Sequence, residues 1–336
     1  MSYKAEFQAR EDVANCDGRA AGYQKSVLID EIRGCGLENQ IEINVPMAKH
    51  TSFQIGGFAD VLFMPESIDA IIRMTTLCRK NDIPFLTLGN GTNVLVSDAG
   101  FSGVVMKLSE NLNEMKIEGN KIITGTGASL SEVAEFAREN RLTGLEFAYG
   151  IPGTAGGAVY MNAGAYGFEM KDIVSRTVFL DEEGNIGIID NRSHMFGYRS
   201  SCFQNNGQII LEVEFQLGYG EFEQIDAKMK ENMRKREKSQ PLDLPSAGSV
   251  FRRPEGKFVG PMIEACGLKG FTIGGAQISM KHAGFIVNCG GATAEDVIAL
   301  IMHIKQKVNE LFRVDLVVEI ELIGKYPALI RNDLKS

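Results

Sequence analysis

The chain has 336 residues, 44% hydrophobic and 23% charged, with a formal net charge of −8 at pH 7. That length predicts two or three domains rather than one core, and the acid excess excludes the basic face of a nucleic-acid binder. No apolar run approaches the ~20 residues of a membrane-spanning helix, and the six cysteines include no C-x-x-C pair, as expected of reduced thiols in a cytoplasmic protein.

Residues 1–22 are polar, mixed in charge and aperiodic, which predicts a flexible tail and no signal peptide. Residues 24–38 read as a short helix ended by glycines. ADVLFMP (59–65) reads as a strand, 67–82 as a helix opened by Ser67, and 83–98 as two apolar strands around a Gly/Asn turn. Residues 121–142 give a strand, a glycine turn and a helix, with Ser129 as N-cap and Glu132 completing a capping box. A strand pair around an acidic glycine turn follows at 173–190, an alternating strand at 208–218 and a highly charged helix at 221–239. GGAQIS (274–279) and GFIVN (284–288) read as strands of a further unit. A helix opened by Thr293 runs to 312, with Val297, Ile301, Ile304, Val308 and Leu311 on one face and acids in its first turn to suit the helix dipole. LVVEIELIG (316–324) closes the chain as a strand. The main boundary is placed near Gly218–Gly220.

The glycines concentrate in two clusters. YGIPGTAGGAVYMNAGAYG (149–167) holds six of them and no charged residue, and LGNGTNVLV (88–96) is the other. Glycine permits positive φ and a close approach of main chain to ligand. A run of free N–H groups makes a concave anion site. One such cluster fits a plain strand connection equally well. Two, each with Asn or Thr donors (Asn90, Thr92, Asn93; Thr154, Asn162), point to a phosphate-bearing cofactor. GNGTNV lacks the third glycine of G-x-G-x-x-G, and there is no G-K-[ST], so a Rossmann or Walker reading is weak.

Beside the glycine stretch stand HTSFQIGG (50–57), LGNGTNVLVSD (88–98), FGYRSSCF (196–203), SAGSVFRRP (246–254), GLKGFTIGGAQIS (267–279) and LVVEIELIG (316–324). In these motifs and their order, from about Val45 to Gly324, the sequence resembles the UDP-N-acetylenolpyruvoylglucosamine reductases, in the shorter subclass without an extra tyrosine-bearing loop. The resemblance implies an α+β chain. It would comprise a vanillyl-alcohol-oxidase/PCMH-type FAD-binding fold of two lobes (23–115 and 116–219), a C-terminal α+β substrate-binding domain (220–325) and a tail (326–336). It implies NADPH-dependent, FAD-mediated reduction of UDP-N-acetylglucosamine enolpyruvate to UDP-N-acetylmuramate in peptidoglycan precursor synthesis, with FAD held non-covalently. NADPH and substrate use one site in turn in that family, so no separate dinucleotide motif is expected. A monomer without nucleic-acid or membrane partners is expected.

The resemblance assigns Gly89, Asn90, Gly91, Thr92 and Asn93 to the FAD pyrophosphate, and Ile151, Pro152, Gly153, Gly156, Gly157 and Gly164 to the flavin. An uncharged backbone there holds the ring system and leaves its potential to hydrogen bonds and burial. Hydride delivery to an enolpyruvyl ether puts negative charge on the neighbouring carbon and its carboxylate, which calls for a cation, a second polar group and a proton donor. Arg199 in YRSS fits the first, since a guanidinium binds a carboxylate through paired hydrogen bonds and keeps its charge. Ser249 in AGSVF fits the proton donor, acting with electrostatic help. Glu319 fits the third role; period-2 alternation puts it on one face with Glu321, and an acid beside a substrate carboxylate is expected to have a raised pKa. On pattern alone these three fit a surface arginine, a turn serine and a solvated strand face.

Tyr166, Arg253 and His282 match substrate-contacting positions. In the basic run 234–238, Arg236 and Lys238, with Gln240 beyond them, are candidates for the UDP diphosphate. The four histidines (His50, His194, His282, His303) lack ligand spacing, so no metal site is expected. Two other readings are kept. Another PCMH-type flavin oxidoreductase predicts covalent flavin through His or Cys, which the glycine stretches lack. A non-catalytic flavin or UDP-sugar sensor predicts that Arg199, Ser249 and Glu319 are dispensable.

Overall fold

Two helix starts carry the caps that their sequences promise. In a computed structural model, which describes residues 25–109, 111–204 and 206–327, Ser67 opens the helix Ile68–Lys80 by accepting a hydrogen bond from Ala70 N at 3.2 Å. Thr293 opens Ala294–Phe312 in a full capping box, its hydroxyl accepting from Asp296 N and the Asp296 carboxylate from Thr293 N. The third start differs. Ser129 makes no side-chain cap to Leu130–Glu139. Its backbone bridges Thr154 instead, with Leu130 N donating to Gly153 O at 3.1 Å and Ala155 N to Ala128 O at 2.8 Å. Main-chain bonds to the glycine stretch replace the predicted capping box. The predicted tail 1–22 lies outside the described residues, as do 328–336. Tyr326 is buried, and its hydroxyl donates to Leu95 O at 3.0 Å.

The chain folds into two compact units that interleave in sequence. One takes the chain up to Ile43, Val61–Gly89 and Gly103–Met233; the other takes Asn44–Asp60, Asn90–Ser102 and the chain from Arg234 onward.

The first unit is built on an antiparallel sheet in the order Ile186–Asp190, Val174–Leu180, Ile209–Gln216, Lys121–Gly125, Met115–Glu118. The predicted hairpin and alternating strand are both in it. The helices Leu130–Glu139 and Ala155–Tyr160 bury Val133, Ala137, Ala155 and Val159 with Val213 and Phe215. A second sheet is ordered Ile41–Pro46, Phe58–Phe63, Phe101–Lys107, Phe85–Leu88, the last two parallel. Ile71, Met74 and Cys78 of Ile68–Lys80 pack with Leu28 and Ile32 and with Val61, Phe63 and Val104 of its strands. Burial pushes the Cys78 thiol up to about 12, as befits an inert core cysteine.

The second unit has an antiparallel sheet in the order Ser246–Ser249, Phe285–Asn288, Ala276–Ile278, Thr272–Ile273. Against it lie Val259–Ala265 and Ala294–Phe312, with Val297, Ile301, Ile304 and Val308 buried beside Ile263, Ile278 and Ile286. Leu311, predicted on that same face, is 57% exposed. The helix ends at Arg313 in a left-handed conformation, and it is Phe312 rather than Leu311 that packs against the core in the last turn. Ile301→Ala is therefore expected to cost about 2–5 kcal/mol, whereas Leu311→Ala should stay within about 0.5 kcal/mol. Urea unfolding compares the two, and equal losses would contradict this placement.

The segment LVVEIELIG is not one strand. Val318 bridges Phe251, a bend falls at Ile320, and Glu321–Ile323 pairs in parallel with Val94–Val96. Glu319 N donates to Val250 O at 2.8 Å, while Glu321 N donates to Asn93 O at 2.9 Å. On a regular strand, N–H groups two residues apart face the same neighbour. Here they face different neighbours, because the chain turns over at the bend. Glu319 is buried and Glu321 exposed, so the predicted shared acidic face does not form.

Candidate active site

In the first unit the glycine stretch runs into the six-residue helix Ala155–Tyr160, capped by the buried Thr154, whose hydroxyl accepts from Gly157 N at 3.2 Å. The glycines divide by purpose. A Cβ at Gly89 would lie 2.6 Å from Thr154 Oγ1, one at Gly156 would collide with the Thr126 hydroxyl, and one at Gly164 would lie 2.6 Å from Phe168 O. Those three are required by the protein's own packing. At Gly157 the nearest atom to such a Cβ is Thr154 Oγ1 at 3.3 Å, and at Gly153 it is Leu130 Cδ1 at 4.0 Å. With the exposed Pro152 and half-buried Ile151, these two glycines form a bare, uncharged main-chain surface, which fits the flat face of a flavin.

The stretch continues into a two-residue hairpin turn, Tyr166–Gly167, between the pairs Ala165↔Phe168 and Gly164↔Glu169. Both turn residues have positive φ, 56° and 89°, as a type I′ turn requires. Tyr166 is 39% exposed, and its hydroxyl donates to Asn232 O at 2.7 Å. Arg199 occupies a comparable turn. Gly197 and Ser200 exchange backbone bonds of 3.1 and 3.2 Å around Tyr198 and Arg199. Arg199 has φ 53°, and its guanidinium lies 5.2 Å from the Tyr198 ring centroid. A bulky side chain at positive φ is a strained position that structures retain chiefly at functional sites.

In the second unit, motifs distant in sequence adjoin. Gly91 takes φ 64°, and a Cβ there would collide with His50 O. Ser52 N donates to Gly91 O at 3.0 Å, and its hydroxyl donates to Ser246 O at 2.6 Å. Asn93 Nδ2 donates to Glu319 O at 3.3 Å. Ser249 pairs with Phe285, and the next residue, Val250, accepts from Glu319 N. The glycine turn, the Glu319 segment and the Ser249 strand thus lie side by side. Ser52 joins them with no signal in the sequence beyond its place in HTSFQIGG.

Arg236 and Gln240 are brought together, Arg236 Nη1 donating to Gln240 Oε1 at 3.1 Å, and Lys238 beside them is exposed. Arg253 lies 3.7 Å from the Phe258 ring centroid and donates to Lys257 O at 3.3 Å. His282 Nδ1 accepts from Gly284 N at 3.1 Å, which puts the neutral ring's proton on Nε2.

Burial holds the His282 and His194 imidazoles below their ordinary pKa. His194 is fully buried. Its Nδ1–H donates to Asp190 O at 2.6 Å, and its Nε2 accepts from the Thr177 hydroxyl at 2.7 Å. Between the lowered value and about 6.5 the unfolded chain binds more protons than the folded one, so stability falls as pH falls through that window. The urea midpoint is expected to drop between pH 7 and pH 5, with a shallower drop for His194→Gln. A midpoint independent of pH over that range would contradict the neutral burial of these rings.

Residues 59–189 match the FAD binding domain model, and residues 240–323 match that of the UDP-N-acetylenolpyruvoylglucosamine reductase C-terminal domain. The UDP-N-acetylenolpyruvoylglucosamine reductase of Caldanaerobacter subterraneus is 50% identical over 299 residues, 89% of this chain and 99% of the relative. That of Clostridium beijerinckii is 46% identical over 288 residues, 86% of this chain and 94% of its own. The crystal structure of the Thermus caldophilus UDP-N-acetylenolpyruvylglucosamine reductase superposes with a TM-score of 0.74 at 33% identity, covering 84% of this chain and 99% of that one. With identity of this order along nearly all of both partners, the chain belongs to the UDP-N-acetylenolpyruvoylglucosamine reductase family.

Proposed function

We propose that this chain uses NADPH and FAD to reduce the enolpyruvyl ether of UDP-N-acetylglucosamine enolpyruvate, giving UDP-N-acetylmuramate for peptidoglycan synthesis. The observation that carries the reading is the junction in the second unit. There Asn93 of the glycine turn bonds Glu319, 226 residues away, and the Ser249 strand lies against the same segment, in a chain of this family. FAD, when bound, would supply the two-electron hydride chemistry that links NADPH to the methylene carbon of the ether. Ile151, Pro152, Gly153 and Gly157 would hold its ring, and Asn90, Thr92 and Asn93 its pyrophosphate.

The chain's own residues manage the charge and the proton. Arg199 binds the substrate carboxylate through paired hydrogen bonds, stabilising the charge that grows there. Ser249 donates a proton from its hydroxyl to the carbon bearing the ether oxygen. Glu319, whose main-chain N–H donates to Val250 O and whose carbonyl accepts from Asn93 Nδ2, supplies the polar group beside the carboxylate. Tyr166, Arg236, Lys238, Gln240, Arg253 and His282 are assigned to the sugar nucleotide. The purified protein should be yellow and should turn over NADPH beyond one equivalent per flavin only when the enolpyruvyl substrate is present, forming one UDP-N-acetylmuramate per NADPH. A colourless protein from flavin-replete cells, or NADPH consumption that ignores the substrate, contradicts the proposal.

A further inference from the structure

The two strained turns of the first unit share one brace. Asn162 is fully buried and itself takes a positive φ of 43°. Its Nδ2 donates to Gly197 O at 2.8 Å, in the turn that carries Arg199, and to Glu169 Oε2 at 3.0 Å, at the base of the Tyr166 hairpin. Its Oδ1 accepts from Lys171 N at 2.9 Å. Both amide hydrogens and a carbonyl lone pair are therefore committed, each to a different backbone or carboxylate group. Nearby, Gln204 Nε2 donates to Arg199 O at 3.1 Å and to Tyr160 O at 3.2 Å, and the Ser201 hydroxyl donates to Tyr160 O at 2.8 Å. The Arg199 turn is thus fastened to the end of the glycine stretch from both its sides. Nine described non-glycine residues have positive φ, and Asn162, Tyr166 and Arg199 are three of them.

We propose that Asn162 is a positioning residue for the reduction: its buried carboxamide locks the Arg199 turn and the Tyr166 hairpin to the glycine stretch, and so fixes where the guanidinium meets the substrate carboxylate. The inference rests on the proposed function for the role of Arg199. It makes Asn162 act through Arg199, without touching substrate itself. Two turns that each hold a bulky residue at positive φ would relax toward other conformers without such a brace. A guanidinium displaced by about 1 Å costs on the order of 10²-fold in rate.

The test is Asn162→Asp in the FAD-loaded enzyme. Aspartate keeps the size and the acceptor for Lys171 N, tolerates positive φ, and loses both donors. Three readouts are compared with wild type: flavin bleaching by NADPH, reoxidation by the enolpyruvyl substrate, and calorimetric affinity of the oxidised enzyme for UDP-N-acetylmuramate. We expect bleaching to be retained, with reoxidation and product affinity each falling about 10²-fold. In an Arg199→Ala background the same substitution should change reoxidation little, since both changes remove one function. If Asn162→Asp does not fold, Gln204→Glu on the half-buried partner carries the same expectations. Wild-type reoxidation rates and product affinity in the variant, or a loss that adds fully to that of Arg199→Ala, overturn the inference. A wild-type enzyme that the substrate fails to reoxidise overturns the functional reading instead.

Discussion

Ser249→Ala is expected to leave NADPH bleaching of the bound flavin near the wild-type rate and to slow reoxidation by UDP-N-acetylglucosamine enolpyruvate about 10²–10⁴-fold, the range of a lost general acid. The strand around Ser249 is held by main-chain bonds: Ser249 pairs with Phe285, and Val250 N donates to Gly284 O at 3.0 Å. Alanine therefore removes the hydroxyl and leaves the backbone in place. Bleaching requires no proton on the substrate carbon, so only the second half-reaction should suffer. Ser249→Cys should recover part of the loss, because a thiol is a stronger acid than a hydroxyl. Stopped-flow absorbance separates the halves, and undiminished reoxidation by Ser249→Ala would remove its acid role.

Arg199→Ala is expected to lose about 10²–10³-fold in that same half-reaction, the cost of one preorganised electrostatic contact to developing charge. Arg199→Lys should recover only a fraction, since an ammonium restores the charge without the paired geometry. The conformation of the turn adds a second expectation. Arg199 sits at φ 53°, which glycine adopts without the cost that alanine meets. Arg199→Gly should therefore be at least as thermostable as Arg199→Ala while equally slow. Unchanged reoxidation in either variant would remove the role assigned to Arg199 in stabilising the developing charge.

What the sequence revealed follows the range of the interaction involved. The caps at Ser67 and Thr293 depend on residues three positions apart and were legible. Ser129 has the same local signal, but distant main chain from Gly153 and Thr154 took its place. The alternation in LVVEIELIG is real as a pattern. The bend at Ile320 exists because Val250 and Asn93 claim the two ends of the segment, and both partners are remote in sequence. Leu311 fits the helical period but is exposed, while its neighbour Phe312 turns to the core instead.

The site was legible in a different way. Glycine clusters announced close backbone approach, yet at Gly89, Gly91 and Gly156 the approaching group is the protein itself. Arg199, Ser249 and Glu319 were selected by family motifs, since as single residues they match common surface and turn patterns. Asn162 was visible only as one more donor in the glycine stretch. Its bracing of two turns depends on Gly197, 35 positions away, which no local spacing encodes.

The most direct test is a single anaerobic turnover. The FAD-loaded protein is bleached with one equivalent of NADPH and then mixed with UDP-N-acetylglucosamine enolpyruvate. The account predicts that visible flavin absorbance returns in full and that an equal amount of UDP-N-acetylmuramate forms. Bleached flavin that stays bleached with this substrate and recovers only on admission of oxygen would contradict it.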